Sequence, residues 1–316
     1  MNCIMEQIIL SVIIAVHNTE EYVEQALKSL DQALHGYKLS STVEAIIVDD
    51  ASSDNSVSII NNYKPDNFKK RFFSVNYNNV GKVKRFAFKQ CQGNYITILD
   101  SDDAFRNNAL TLITKTLASN KYDMVITPIS EVYNNFQVDA ITHLTQQEKI
   151  SQDNATKLFL SHKKIEGHIA GKFIKRSLLT DDFFPETLCY EDIITIGHAI
   201  SKSTDILFCN SHLYLYRKRT GSISNDKGGE KIAMLFDALE KIENIFSPQL
   251  KYANIVNALW VKCISDLVAR GKGRLPIPEN AKRKLSTINT LSFVLDPKVR
   301  LSRKRMLLKL KVMNVT

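Results

Sequence analysis

The sequence is most informative first in what it lacks. No apolar run approaches the roughly 18 residues that span a bilayer, so no membrane-spanning helix is expected. No Lys or Arg precedes Lys28, and Glu6 interrupts the apolar start, so a secretory signal is not expected and the chain reads as cytoplasmic. Glycine (11) and proline (7) are too few in 316 residues for a collagen-like or low-complexity chain. The five cysteines, Cys3, Cys91, Cys189, Cys209 and Cys263, are scattered and odd in number, with no CxxC spacing. That argues against a disulfide framework and against a structural zinc site. A GxGxxG after a strand, a GxxxxGK[ST] loop, a GxSxG elbow and an HExxH helix are all missing, which disfavours dinucleotide, P-loop, α/β-hydrolase and zincin chemistry.

What is present is a large apolar fraction, 44%, enough for one large α/β domain or two smaller ones. The formal charge is +9, and its placement matters more than its size. Residues 281–316 hold ten Lys/Arg against one acid, Asp296, so the basicity belongs to the C-terminal segment and the first 280 residues sum to zero.

The first half alternates strand and helix signals. LSVIIAV (10–16), VEAIIV (43–48), RFFSV (71–75), YITIL (95–99) and DMVIT (123–127) read as strands, the most apolar of them as buried parallel ones. Thr19 is placed to cap a helix with Glu20 and Glu21 in its first turn, and apolar residues recur at helical spacing from Val23 to Leu34. Asn78-Asn79-Val80-Gly81 reads as a loop before a basic helix from about Lys82 to Cys91. Such alternation predicts a mostly parallel, doubly wound sheet flanked by helices. Beyond residue 126 the helices are weaker and the loops longer, until 230–270 turns helical throughout; PIPEN (276–280) breaks it, and a basic helical tail follows.

In doubly wound sheets ligands sit beyond the carboxyl ends of the strands. Two strands here run into carboxylate clusters, Asp49-Asp50 and Asp100-Ser101-Asp102-Asp103. Carboxylates this close repel unless a cation lies among them, and oxygen-only ligands suit Mg²⁺ or Mn²⁺. Asp50 could accept hydrogen bonds from a base or a ribose. Glu191-Asp192 opens an apolar helical stretch; acids there favour the helix dipole, and the same position suits a general base. Lys172, Arg176, Tyr216, Arg217, Lys218 and Arg219 are candidate phosphate contacts. In the tail, seven Lys/Arg from Lys298 to Lys311 lie among leucines, a composition that suits an anionic membrane surface. No aromatic platform interleaves those charges, so nucleic acid is not the expected partner.

Taken in order, SVIIAVHNTEEYVEQALKSL, VEAIIVDDASSDNS, NNVGKVKRFAFKQCQGNYITILDSDD, AGKFIKRSLL, YEDIITIGHAI and YLYRKRTGSIS resemble glycosyltransferase family 2, the inverting enzymes of the GT-A fold, over about residues 10–225. The resemblance implies a catalytic domain over 1–225, with a nucleotide-sugar half (1–125) and an acceptor half (126–225), followed by a C-terminal helical region (226–316). It implies a UDP-sugar donor held by Ala15, His17, Glu20, Asp50, Arg85, Asp100, Lys172 and Arg217, with Mn²⁺ or Mg²⁺ on Asp102 and Asp100. It makes Asp192 the base, with Glu191 beside it. The chain departs from the family pattern at Ala15, His17, Phe86 and Gly171, where proline, tyrosine, asparagine and asparagine are usual.

The expected activity is transfer of a hexosyl or N-acetylhexosaminyl group to a hydroxyl of a glycan or lipid-linked acceptor in surface polysaccharide synthesis. The protein would sit peripherally at the inner face of the cell membrane. Two other readings stay open at this point. A nucleotidyltransferase would carry a Gly-rich basic loop where this chain has HNTEEY; a catalytically silent carbohydrate-binding protein would release no nucleotide from any donor.

Overall fold

A computed structural model describes residues 7–37, 42–133, 136–218, 229–271 and 276–313. Its elements, in order, are β1 (Leu10–Val16), α1 (Val23–Ala33), β2 (Val43–Asp50), α2 (Ser56–Asn62), β3 (Lys69–Val75), α3 (Val80–Gln90), β4 (Tyr95–Ile98), β5 (Ala104–Phe105), α4 (Ala109–Ala118), β6 (Met124–Ile126), β7 (Ile129–Tyr133), β8 (Gln147–Ile150), α5 (Gln152–Leu160), β9 (Lys172–Lys175), α6 (Glu191–Lys202), β10 (Ile206–Cys209) and β11 (Tyr214–Lys218). Five further α-helices follow: α7 (Gly229–Phe246), α8 (Ala253–Gly271), α9 (Glu279–Thr287), α10 (Thr290–Leu295) and α11 (Leu301–Val312).

The central sheet has the order β3-β2-β1-β4-β9-β6-β10-β8. Strands β3, β2, β1 and β4 run parallel, in the register Val16↔Asp49 and Ile13↔Ile98, so their carboxyl ends open on one rim. The expected α/β sheet is therefore present, but β9 enters antiparallel between β4 and β6, and β8 closes the far edge antiparallel to β10. Strand β9 thereby starts, at Lys172, on the rim where β4 and β6 end. A second sheet, β5-β11-β7, lies over that rim.

Strand β1 shows why the pattern was continuous rather than alternating. Leu10, Val12, Ile14 and Val16 pack into the layer of α1, α2 and α4, while Ile13 and Ala15 face the layer of α3, α5 and α6. Side chains of period two fill two cores. Helices α7 and α8 belong to the second layer: Phe236, Leu239, Ile242, Phe246, Trp260 and Ile264 join one continuous core with the sheet. Among the described residues no helix is long and apolar enough to cross a membrane. No disulfide forms among the described cysteines, Cys91, Cys189, Cys209 and Cys263, and burial pushes Cys91 up to about 12; Cys3 lies outside the described residues.

Two helix starts differ from the sequence reading. Helix α1 begins at Val23 after a turn in which the Tyr22 and Val23 amides donate to the Thr19 carbonyl, and the Thr19 hydroxyl is buried without a partner rather than capping. Helix α3 begins at Val80, because the Asn79 side chain accepts from the Lys82 amide (3.0 Å) and caps it. The start of α3 is pressed against the segment before α6. A Cβ on Gly81 would lie 2.0 Å from the Pro185 carbonyl oxygen, and the Gly81 amide donates to the Thr187 carbonyl (3.3 Å). Gly81→Ala is expected to cost about 1–3 kcal/mol, the range for overpacking a tight site, measured as a lower urea midpoint with unchanged slope.

Candidate active site

The loop after β4 is fixed by a brace. The Asp100 amide donates to Tyr214 Oη (3.0 Å), and that hydroxyl donates to Asp103 Oδ2 (2.7 Å). Asp103 Oδ1 accepts from the Arg217 amide (2.8 Å), and Arg217 Nε donates to the Asp102 carbonyl (2.8 Å). The guanidinium of Arg217 lies over the rings of Tyr22 (5.0 Å) and Phe136 (4.6 Å) and reaches Gln25 Oε1. Arg217 is thus buried and engaged in holding the acidic loop; Arg219 lies outside the described residues. Burial pushes Asp103 well above the carboxylate range, with Asp100 and Asp102 adding to it.

Opposite the loop stands a three-residue charge cluster. Lys84 Nζ on α3 reaches Glu191 Oε1 (2.7 Å) and Asp192 Oδ1 (2.9 Å) at the first turn of α6. Asp192 Oδ2 accepts from the Ile169 amide (3.2 Å). Burial would raise Asp192, but the Lys84 charge and hydrogen bond, together with the Ile169 amide, hold it below its ordinary value. Burial would likewise lower Lys84, and Asp192, Glu191 and Asp100 instead hold it well above. Asp100 faces this cluster. Burial raises it to about 7 against the pull of Lys84, and the charges of Asp192, Asp102 and Glu191 push the same way.

Beside the cluster, Lys172 is 2% exposed and donates to the Ala170 carbonyl (3.2 Å); burial pulls it down to about 8 despite Glu166 and Asp192. The residue before it, Gly171, has φ +72°. Glycine and asparagine are the residues that adopt this region most readily, which accounts for glycine where the family pattern has asparagine. The His168 ring lies 5.5 Å from that of Tyr216, and burial lowers its pKa.

The adjoining stretch of the rim is built from the ends of β1 and β2. His17 Nδ1 is 2.6 Å from the Asp50 carbonyl. Glu20 Oε2 accepts from the Asn55 amide (2.9 Å) and side chain (2.7 Å), tying the two loops together. The Asp50 carboxylate receives the amides of Tyr77 (2.5 Å), Asn78 (3.0 Å) and Asn79 (3.1 Å), and so holds the approach to α3. In Asp49, Oδ2 accepts from the Ser52 amide (3.3 Å), while Oδ1 is buried without a hydrogen bond. Ala15, paired with Val48, leaves the strand end small. Ala51 and Tyr190, whose side chains disfavour this region, take positive φ (55° and 63°) at this rim and at the start of α6.

The chain therefore brings Asp100, Asp102, Glu191, Asp192 and Lys172 to one region, with His17, Glu20, Asp50 and Ala15 along the same edge. Arg85 differs: its guanidinium bonds Glu186 (2.7 Å) and the Phe184 carbonyl (3.0 Å), facing the 182–186 segment. Consecutive helical residues point about 100° apart, so Lys84 meets the carboxylates and Arg85 does not. Lys84 was missed from the sequence, although a signal existed. It lies on the buried stripe Val83, Lys84, Ala87, Phe88 of α3, where a lysine requires an ionic partner.

The sequence model described as Glycosyl transferase family 2 matches residues 11–182. The chain belongs to glycosyl transferase family 2. It is a glycosyltransferase. It is 25% identical to glycosyltransferase GlyG of Streptococcus pneumoniae serotype 4 over 226 residues, 68% of this chain and 72% of GlyG. It is 24% identical to the poly(ribitol-phosphate) beta-N-acetylglucosaminyltransferase TarS of Staphylococcus aureus, covering 67% of this chain and 36% of TarS, so it spans about a third of that relative. The fold is similar to that of TarS 1–349 in complex with UDP-GlcNAc, with TM-score 0.60 at 18% identity over 97% of this chain and 92% of that one. It also resembles the mannosyltransferase PcManGT from Pyrobaculum calidifontis in complex with GDP-Man and Mn²⁺, with TM-score 0.54 at 16% identity over 97% and 86%.

Among the described residues no group of three or more His, Cys, Asp or Glu is arranged to hold a metal on its own. Asp100 and Asp102 are hard oxygen donors, and the burial and neighbouring carboxylates that lift Asp100 are what a divalent cation sharing a diphosphate would offset. The donor set fits an ion whose remaining ligands come from substrate.

Two outcomes follow for stability. Lys84→Met leaves two buried carboxylates without their cation and is expected to cost about 3 kcal/mol in urea unfolding. Asp100 is raised in the fold, so its contribution is present at acid pH, below its unfolded pKa, and is lost as pH rises through about 7. In chelator-containing buffer at pH 8, Asp100→Asn should therefore unfold at higher temperature than the parent, and the gap should shrink toward pH 5.

Proposed function

We propose that the protein is an inverting transferase moving a sugar from a UDP-sugar to a hydroxyl of a glycan or lipid-linked acceptor in bacterial surface polysaccharide synthesis. The observation that carries this reading is the carboxylate pair Glu191–Asp192, clamped by Lys84 and facing the Asp100–Asp102 loop across the rim. GlyG and the wall-polymer enzyme TarS support the class of reaction, and the UDP-GlcNAc complex of TarS supports the donor type.

Asp192 is the base in this mechanism. Lys84 keeps it ionised across the working pH range, and the Ile169 amide fixes the oxygen that Lys84 does not hold. Its carboxylate takes the proton from the acceptor hydroxyl as that oxygen attacks the anomeric carbon from the face opposite the leaving diphosphate. Glu191 shares the ammonium and keeps Lys84 placed. Asp102 and Asp100 would hold Mn²⁺ or Mg²⁺, which when bound offsets charge on the diphosphate. Ala15, His17, Glu20 and Asp50 shape the nucleoside side, Lys172 offers a cation toward phosphate, Arg217 holds the acidic loop, and Arg85 acts through the 182–186 segment. Alignment of donor and acceptor supplies the rest of the acceleration. In this reading residues 1–125 form the nucleotide-sugar half, 126–225 the acceptor half, and 226–316 a helical region. The basic C-terminal segment of that region rests on the inner face of the cell membrane.

A coupled assay for UDP release across a panel of nucleotide-sugars, with and without chelator, tests the reading. Release from a UDP-sugar that chelator suppresses is the expected result. Pyrophosphate release from a nucleoside triphosphate and a sugar phosphate would instead assign a nucleotidyltransferase, and no release from any donor would assign a silent carbohydrate-binding protein. Asp192→Asn should fold and bind UDP but turn over at least about 10²-fold more slowly; near-normal turnover would remove Asp192 from the role.

A further inference from the structure

Helix α11 is apolar on two opposite sides. Leu307 and Leu310 are buried and Met306 packs on the same core, which accounts for the inner side. At about 100° per residue, Leu301, Arg305, Leu308 and Val312 fall together on the outer side. There Leu301, Leu308 and Val312 are 62%, 46% and 83% exposed. Helix α10, which packs against α11, adds Leu291 and Leu295 at 70% and 69% exposed. Lone exposed leucines are ordinary, but a stripe of them along one helix is not.

The cations around this stripe are in large excess over acids. Among the described residues, Arg300, Lys304, Arg305 and Lys309 have no ion-pair partner. The single acid in 281–316, Asp296, accepts from the Asn254 side chain (3.0 Å) and the Lys298 amide (2.8 Å), and its one charge, felt by Lys298 and Lys304, cannot balance the ten cations of the segment. A second copy of the chain would set this charge against itself well inside a Debye length of about 8 Å. An anionic bilayer surface offers the opposite charge and an apolar layer beneath it.

We propose that the outer face of α11, with α10 beside it, docks on anionic phospholipid, with Leu301, Leu308 and Val312 turned into the acyl boundary and Lys304, Arg305 and Lys309 at the headgroups. The inference rests on the peripheral membrane reading given above and narrows it from a charged tail to one face. It makes the leucines, and not charge alone, responsible for attachment.

Co-sedimentation of the full chain with vesicles of phosphatidylglycerol and phosphatidylcholine in equal parts tests it, with phosphatidylcholine alone as reference. The full chain should bind the anionic vesicles, less at high salt, and not the neutral ones. The double variant Leu301→Ser/Leu308→Ser should bind at least about tenfold more weakly, and Arg305→Ala/Lys309→Ala roughly fivefold more weakly per cation removed. UDP binding by calorimetry should be unchanged in both, since neither touches the donor site. If the leucine variant binds as the parent does while deletion of 298–316 releases the protein, attachment is by charge alone and the face is wrong. If the parent ignores anionic vesicles, the membrane reading falls with it. If light scattering shows a dimer that Leu308→Asp splits, a second copy covers the face and the proposal is overturned.

Discussion

The site depends on one ammonium group shared by two carboxylates. Lys84 comes from α3 and Glu191 and Asp192 from the start of α6, more than a hundred residues later. None of the three is tolerable at that place alone. A buried lysine without a partner would lose its proton, and two adjacent buried carboxylates would not both stay ionised. Together they form a charged set whose geometry fixes how α3 and α6 approach each other. The close approach of Gly81 to Pro185 serves the same junction, because it sets the start of α3 against the segment leading into α6.

The remaining acids along the rim divide by what their oxygens already hold. Asp103 is spent on Tyr214 and the Arg217 amide, Asp50 on three backbone amides, and Glu20 on Asn55. These acids hold loops in place. A loop fixed by carboxylate–amide bonds presents its neighbours at a defined separation, and such preorganisation is what an electrostatic site requires before substrate arrives. The small sheet β5-β11-β7 belongs to the same arrangement, since β11 supplies both Tyr214 and Arg217 to the loop that precedes β5.

Much of this was readable from the residues. Continuous apolar strands ending in acids gave the sheet and its ligand edge, because burial on both faces and the parallel rule leave few alternatives. The strands after residue 126 were hidden, since they are four or five residues long and carry no clear alternation. The 3.6-residue period of α3 puts Lys84 and not Arg85 on its buried stripe, a signal that went unread. Arg85 looked like the functional cation, yet the helical phase gives that place to Lys84. The carboxylate of Asp50 also receives the 77–79 amides, a structural duty that residue type did not show. Thr19 had the right type for a cap and the wrong distance.

The C-terminal helices bear on the site through packing. Ile196, Ala199 and Ile200 on α6 share one core with Phe236, Leu239, Ile242 and Phe246 on α7, and that core continues through Trp260 and Ile264 on α8. Helix α6 carries Glu191 and Asp192 in its first turn, and its position is set on one side by the sheet and on the other by α7. Close-packed interiors transmit displacement instead of absorbing it. A shift of α7 would therefore move the carboxylates relative to Lys84, whose own helix is anchored to β1 and β2. The helical region thus packs behind α6, and the outer surface it carries on α10 and α11 is joined to that helix through α8 and α7.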